Sequence, residues 1–206
     1  MRNGLRLFSI GHSNHELAEF LRLLHLHAIT VLADVRSAPY SQRYPQYNRQ
    51  PLEQALAAAG IQYLFLGDLL GGRPDSREVY DDDGRVDYEK VRDTDFFRRG
   101  VEQLISGLDD CTMTMMCSEA DPLDCHRGLM IAPSLVERGI APGHIRKDGS
   151  VEGTAEMEKR LLAATHLESG MLDGLFADSL EEERQWLLGA AYRAMAKKKA
   201  FRQSDV

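Results

Sequence analysis

Thr30-Val31-Leu32-Ala33-Asp34-Val35-Arg36 is the stretch that decides the fold. Its aliphatic, β-branched run reads as a strand buried on both faces. It closes on a carboxylate and a guanidinium. Its neighbours repeat the pattern. Upstream, Leu5–Ile10 is a short apolar run stopped by Gly11. Ser13 or Asn14 then caps a helix through Leu26, with Leu17, Phe20, Leu21 and Leu24 on one face. Downstream, Gln50–Ala59 reads as a helix with Pro51 in its first turn and Gly60 past its end. Ile61–Leu66 is a third strand, Phe96–Leu108 a helix and Thr112–Met116 a fourth strand. Cys125–Arg138 is a helix stopped at Gly139, which Pro133 should kink. Ala141–Arg146 is a fifth short strand. Strands alternating with helices predict a three-layer α/β fold: a mostly parallel sheet of about five strands, with helices on both faces. The strand order should break between the first and fourth strands.

The organisation around that core follows from composition. The chain has 206 residues, 43% hydrophobic and 28% charged, which excludes a disordered or fibrous protein. Twenty-five basic residues against 32 acidic ones give a net charge of −7, which argues against non-specific duplex binding by the whole surface but leaves room for a local basic site. Three cysteines with no C-x-x-C pair argue against a disulfide framework. No apolar run approaches the roughly 18 residues that a membrane span needs, and the first ten residues lack a secretory signal. A cytoplasmic protein without membrane partners is expected. Residues 1–150 form the α/β domain, with a polar insertion over 67–93; between Asp75 and Asp95 nine acids face four bases. Residues 151–206 form a helical extension that packs on this domain or on a second subunit. Its first helix is Thr154–Ala164. After a glycine-interrupted segment, Asp178 or Ser179 caps the last, running to about Lys197. Glu181, Glu182 and Glu183 at its start and Lys197, Lys198 and Lys199 at its end suit the helix dipole. Trp186, Leu187, Ala190 and Ala194 form its expected buried stripe.

In a parallel α/β sheet, ligands bind beyond the carboxyl ends of the strands. The chemistry-bearing residues fall there. His12 and Ser13 follow the first strand, Asp34 and Arg36 close the second, and Gly71-Gly72-Arg73 lie beyond the third. Cys117, Ser118 and Glu119 end the fourth, and Cys125-His126-Arg127 open the next helix. A thiol at a helix N-terminus beside an arginine has its thiolate favoured. Asp34 and Arg36, two apart on a strand, share a face, so Asp34 either orients Arg36 or serves as a base. The loop Arg36–Arg49 holds three arginines, no acid, and Tyr40, Tyr44 and Tyr47. That mixture suits a nucleotide or single-stranded nucleic acid, or a loop whose tyrosines pack inward. Zinc is the competing chemistry: His12, Cys117, Cys125 and His126 are suitable ligand types. Their spacing matches no finger pattern, and adjacent Cys125 and His126 should converge only with strain, so no cofactor is assigned. A cysteine-phosphatase loop is excluded, because the sixth residue after Cys125 is Ile131 and after Cys117 is Leu123.

Five segments carry a resemblance: Ser9-Ile10-Gly11-His12-Ser13, Asp34-Val35-Arg36-Ser37-Ala38-Pro39, Leu70-Gly71-Gly72, Cys117-Ser118-Glu119 and Cys125-His126-Arg127. In order and spacing, from about Phe8 to Ile145, the series resembles that of domain-of-unknown-function family 488. The resemblance implies a compact α/β domain of bacterial or archaeal type and brings no reaction with it. Its pattern falls on His12, Ser13, Asp34, Arg36, Glu119, Cys125, His126 and Arg127, and does not reach the final helix.

Two functions fit these residues. One is an enzyme on a phosphate-bearing or nucleotide-like substrate. Arg36 and Arg127 would then clamp the anion, with Ser13, His126 and Tyr47 also contacting it. Cys125 would be nucleophile or donor, and Glu119, Asp34 and His12 the acid–base groups. The other is a non-catalytic nucleotide or nucleic-acid binding module built on the Tyr/Arg loop.

Overall fold

The computed structural model describes residues 6–167 and 177–203, with side chains of the last helix from residue 182 onward. In chain order the elements are β1 (Leu7–Gly11), α1 (Leu17–Leu26), β2 (Val31–Asp34), α2 (Arg49–Ala58), β3 (Gln62–Phe65) and α3 (Gly67–Leu70). There follow α4 (Tyr88–Arg92), α5 (Asp95–Ser106), β4 (Met113–Cys117), a π-helical turn (Arg127–Ile131) and α6 (Ala132–Val136). The last are β5 (Gly143–Ile145), β6 (Val151–Glu152), α7 (Thr154–Thr165) and α8 (Ala177–Lys199).

The fold is three-layer α/β. The sheet order is β3-β2-β4-β1-β5-β6, all parallel except β6, an antiparallel edge strand of two residues too short to be visible as a pattern. Alternation along the strands feeds two cores. Phe8, Ile10, Leu32, Met116 and Ile145 meet Phe20, Leu23 and Leu24 of α1 and Leu52 and Leu56 of α2. Leu7, Ala33, Met113, Met115 and Cys117 meet Phe97, Val101 and Leu104 of α5 and Leu129, Met130 and Ile131 of the π turn. From β1 the chain leaves towards β2, and from β4 it leaves towards β5. The helix after β1 packs on one face of the sheet and the turn after β4 on the other, so the connections part at these adjacent strands, where the break was expected, and a crevice opens at their carboxyl ends.

Three local expectations change. Helix α1 starts at Leu17, because Ser13 adopts a left-handed φ of 47° inside a turn closed by His15 N–H to the His12 carbonyl. The helix over 126–136 takes up Pro133 through its π turn. The Ala132 amide reaches back to the Arg127 carbonyl, and Pro133 falls in the first turn of α6, where its missing N–H costs nothing. On α8 the buried face is Leu188, Ala191 and Met195, spaced i, i+3, i+7, and Trp186 is 66% exposed. The expected stripe of Trp186, Leu187, Ala190 and Ala194 placed the aromatic ring inside and so rotated the helix. The glycine-interrupted segment, the Asp178 or Ser179 cap and Glu181 lie outside the described residues and side chains.

The insertion is packed rather than solvated throughout. Val79, Val86, Tyr88 and Val91 are buried in the same core as Leu135, Met157, Ala191 and Met195. The extension is tied down further by ion pairs. Asp121 and Glu152 each bind both Arg146 and Arg160, which joins the loop after β4 to β6 and α7.

Leu188→Ala is expected to cost about 2–5 kcal/mol in denaturant unfolding, the range for an aliphatic side chain emptied from a core. Trp186→Ala should stay within about 0.5 kcal/mol of wild type. The reverse ranking would restore the stripe read from the sequence.

Candidate functional site

Beyond the carboxyl ends of β2 and β4 lies a cavity of about 460 Å³, continuous in its lining with a more open one of about 620 Å³ beyond the ends of β1 and β4. Arg36, Tyr40, Ser118 and Glu119 line both. Cys117, Cys125 and His126 line the first; His12, Ser13 and Tyr44 line the second. The sheet therefore delivers these residues to one place, as their positions after strands required.

The deepest part is a sulfur pair. Cys117, the last residue of β4, and Cys125 are 4% and 3% exposed. Cys125 is extended (φ −142°, ψ 145°) and His126 helical (φ −57°, ψ −26°). This change of backbone turns two adjacent side chains towards one point. His126 Nδ1 lies 3.7 Å from Cys125 Sγ and 3.8 Å from Cys117 Sγ. The strain expected for that convergence is absent, because the extended-to-helical step supplies it. Nε2 lies 2.9 Å from the Val35 carbonyl, which can only accept, so Nε2 carries a proton. A Cβ at Gly72 would sit 2.8 Å from Nδ1, so the second glycine of Leu70-Gly71-Gly72 is what lets the chain pass over the ring.

Charge is unevenly shared within the cluster. Burial opposes ionisation of Cys125, but the Cys117 thiol, His126 and Arg127 outweigh it and hold its titration well below the ordinary thiol range. The hydrogen bond to Cys125, and then burial, push Cys117 well above it. Burial, and then Cys125, raise the Glu119 carboxyl, whose Oε2 is 3.0 Å from Cys117 Sγ. For His126, burial lowers the titration, but Cys125 and Glu119 together raise it.

The polar residues beside the sulfurs are largely committed to each other. Asp34 binds Arg36 through both oxygens (2.6 and 2.9 Å) and accepts the Tyr63 hydroxyl at 2.8 Å. Arg36 also donates to the Tyr47 carbonyl. In this geometry Asp34 orients Arg36. His12 stacks on Tyr47 at 4.2 Å between ring centroids, with Nε2 3.4 Å from Arg36. Tyr47 and Arg127 are fully buried and line neither cavity. That corrects the expectation that they contact substrate. The Tyr47 hydroxyl donates to the His15 carbonyl, and the Arg127 guanidinium donates to the carbonyls of Glu119 (2.7 Å) and Ala120 (3.0 Å). Of the Tyr/Arg loop's tyrosines, Tyr47 is buried, Tyr44 half-buried and Tyr40 68% exposed; Arg43 and Arg49 are exposed and lie over Tyr44 and Phe65.

Sequence reasoning missed the cationic roof. Arg73, Arg85, Lys198 and Lys199 all line the smaller cavity. The segment after α8 is strapped across the insertion. Val86 N–H donates to the Phe201 carbonyl and Gln203 N–H to that of Gly84, while Arg85 donates to the Ala200 carbonyl. Arg73 lies over the Phe201 ring, and Lys199 pairs with Asp124 at 2.7 Å. Among the described residues, no carboxylate pairs with Arg73, Arg85 or Lys198. The basic triplet was the available signal, read instead as a helix end matched to its dipole.

The family model described as Domain of unknown function DUF488 matches residues 16–132, more than half of the chain. The chain belongs to the DUF488 family. The match stops before β5, so the DUF488 model excludes the lysines that roof the cavity. No curated protein matches the sequence. A crystal structure from Shewanella putrefaciens CN-32, described as "Putative phosphatase (DUF442)", is 12% identical to this DUF488 chain. Its TM-score is 0.39, over 98% of this chain and 93% of that one. Similarity at that level carries neither fold nor activity across.

The buried imidazoles behind the site give a pH prediction. Burial, and then Arg36, lower His12 to about 4; burial, and then Arg127, lower His144 to about 3. Unfolded imidazoles titrate near 6.5. Their contribution is therefore complete above about pH 6.5 and lost as pH falls towards 4 and then 3. His144 Nδ1 lies 2.8 Å from Ser9 Oγ. His144→Asn keeps a partner for that hydroxyl without a titrating ring, so it should flatten the fall of melting temperature between pH 6.5 and 4. An unchanged slope would show that His144 is not a source of the acid sensitivity.

Proposed function

We propose that this protein is an enzyme acting on a phosphate-bearing or nucleotide-like anionic substrate held in the smaller cavity. The carrying observation is the charge of that cavity. The chain is net acidic, yet the lining holds five cationic side chains and two carboxylates, Glu119 and Asp124. Lys199 neutralises Asp124 and Asp34 neutralises Arg36, while burial favours the uncharged form of Glu119. Arg73, Arg85 and Lys198 then remain for an anion. A fixed cation facing an anionic ligand makes the strong class of charge-assisted hydrogen bond. Exposed Tyr40 at the junction of the two cavities offers a ring face to a nucleobase.

The reactive group in this reading is the Cys125 sulfur, an electron-pair donor at the floor beneath the cationic roof. Glu119, raised towards its acid form and beside the sulfurs, is the proton donor or acceptor. Arg36, fixed by Asp34, presents its remaining edge to the substrate. Arg127 acts through the Glu119–Ala120 backbone and through its field on Cys125. His12 and Tyr47 position Arg36. Variety of this kind, with sulfur, imidazole, carboxyl and guanidinium at one sheet edge, serves a reaction better than a simple binding module.

The test is a panel of nucleoside mono- and diphosphates and simple phosphomonoesters, with binding read by calorimetry and turnover by product analysis. Binding should weaken at least about tenfold when Arg73→Gln and Lys198→Gln are combined, since each charged hydrogen bond contributes about 1.5–3 kcal/mol. It should also weaken with salt. Cys125→Ser should retain binding and lose turnover. Binding indifferent to both roof substitutions, or undiminished turnover by Cys125→Ser, would overturn the reading.

A further inference from the structure

We propose that Cys117, Cys125 and His126 form a three-ligand site for a soft divalent cation of the zinc class, with its fourth position open to the cavity. The three donor atoms lie within 4.8 Å of one another. Tetrahedral zinc with Zn–S of about 2.3 Å and Zn–N of about 2.0 Å would set sulfur–nitrogen separations of about 3.5 Å. The separations present are 3.7 and 3.8 Å. Both sulfur–nitrogen separations thus already stand within about 0.3 Å of the spacing such an ion imposes.

Direction supports the same assignment. The Val35 carbonyl fixes the proton on Nε2 and leaves the Nδ1 lone pair facing both sulfurs. This is the outer-shell arrangement that orients a metal-binding imidazole. At 3.7 and 3.8 Å Nδ1 sits between the two sulfurs without a close contact to either, where one ion could bind all three. Glycine at position 72 keeps the space around Nδ1 clear. The donor set is two thiolates and one imidazole, which selects zinc-class ions over magnesium or calcium.

Three protein ligands, with a fourth position facing a cavity, is the pattern of a reactive rather than a purely structural zinc site. Glu119 lines that cavity beside Cys117, its Oε2 3.0 Å from the sulfur, so a carboxyl group adjoins the fourth position. The role of the ion in turnover rests on the enzyme reading above. Its binding does not, and the two are tested apart.

The experiment uses the full chain, reduced, stripped with chelator and titrated with cobalt(II) and zinc(II) in the absence of any anion. One equivalent of cobalt should bind, with a sulfur-to-cobalt charge-transfer band and the visible bands of tetrahedral cobalt, and zinc should displace it. Zinc should slow iodoacetamide labelling of Cys117 and Cys125 at least about tenfold while leaving Cys111 unaffected. Cys117→Ser and His126→Gln should each weaken the metal by more than the roughly 10–100-fold typical of outer-shell losses. Cobalt bound without the sulfur band, or equal labelling of all three cysteines under saturating zinc, would overturn the proposal on wild-type protein alone, whatever the variants do. Phosphate or nucleotide binding by the stripped protein, with no metal uptake, would remove this inference and leave the enzyme reading standing. Metal uptake with no anion binding would do the opposite.

Discussion

A fully buried guanidinium organises this molecule. Arg127 has no carboxylate partner among the described residues; its terminal nitrogens are spent on the carbonyls of Glu119 and Ala120. A buried cation held only by dipoles is costly unless negative charge lies close by. The Cys125 sulfur beside it is where such charge is favoured: Arg127 is among the groups that lower the titration of that thiol. The same side chain shapes the loop it holds. The Glu119 carbonyl is drawn so close over β1 that a Cβ on Gly11 would sit 1.8 Å from it. Gly-His-Ser after β1 and Cys-His-Arg after β4 are thus two halves of one joint. One half provides the clearance and the other the brace.

The positions of the ionic groups follow from that joint. With the 119–120 backbone pinned, Glu119 is carried to the sulfur pair, and Asp121, just beyond, is drawn to Arg146 and Arg160. Those ion pairs couple the loop to α7, and α7 and α8 bury residues in the same core. The last helix is therefore connected to the site at both levels. It packs through Leu188, Ala191 and Met195, and its end sets Lys198 and Lys199 over the cavity. The extension completes the pocket rather than merely accompanying the domain.

The legible part of the sequence was the part written in short periods. Strands such as Thr30–Val35 announce themselves by composition, and their order of appearance with helices implies the layers. Because strand ends share an edge, His12, Arg36, Glu119, Cys125 and His126 could be brought together without coordinates. The illegible part depends on direction. Arg127 and Tyr47 were read as substrate contacts because arginine and tyrosine are common ones, yet both point into the protein. Cys117 was read only as a zinc-ligand type and left out of the substrate site, because its proximity to Cys125 depends on how the intervening loop turns, which seven residues do not specify. The roof escaped for the same reason. Lys198 lies more than seventy residues from Cys125 in sequence, and only the packing of α8 makes them neighbours.

Sulfur and positive charge at one floor narrow the chemistry further than either does alone. A thiol beneath a neutral apolar lid would stay protonated and inert, as burial dictates. Here a buried arginine, a helix start and an imidazole act together on one sulfur, and a second sulfur stands beside it to donate or to share a ligand. Arg73, Arg85 and Lys198 above them face the opposite requirement: like charges crowded at one opening repel unless an anion lies between them. The floor therefore concentrates electron density and the roof concentrates its absence, across a cavity of about 460 Å³. A substrate that bridges the two must carry an anionic group for the roof and an electrophilic centre, or a metal-activated water's target, for the floor. In the reading proposed above, a phosphate-bearing molecule would meet both conditions with one group.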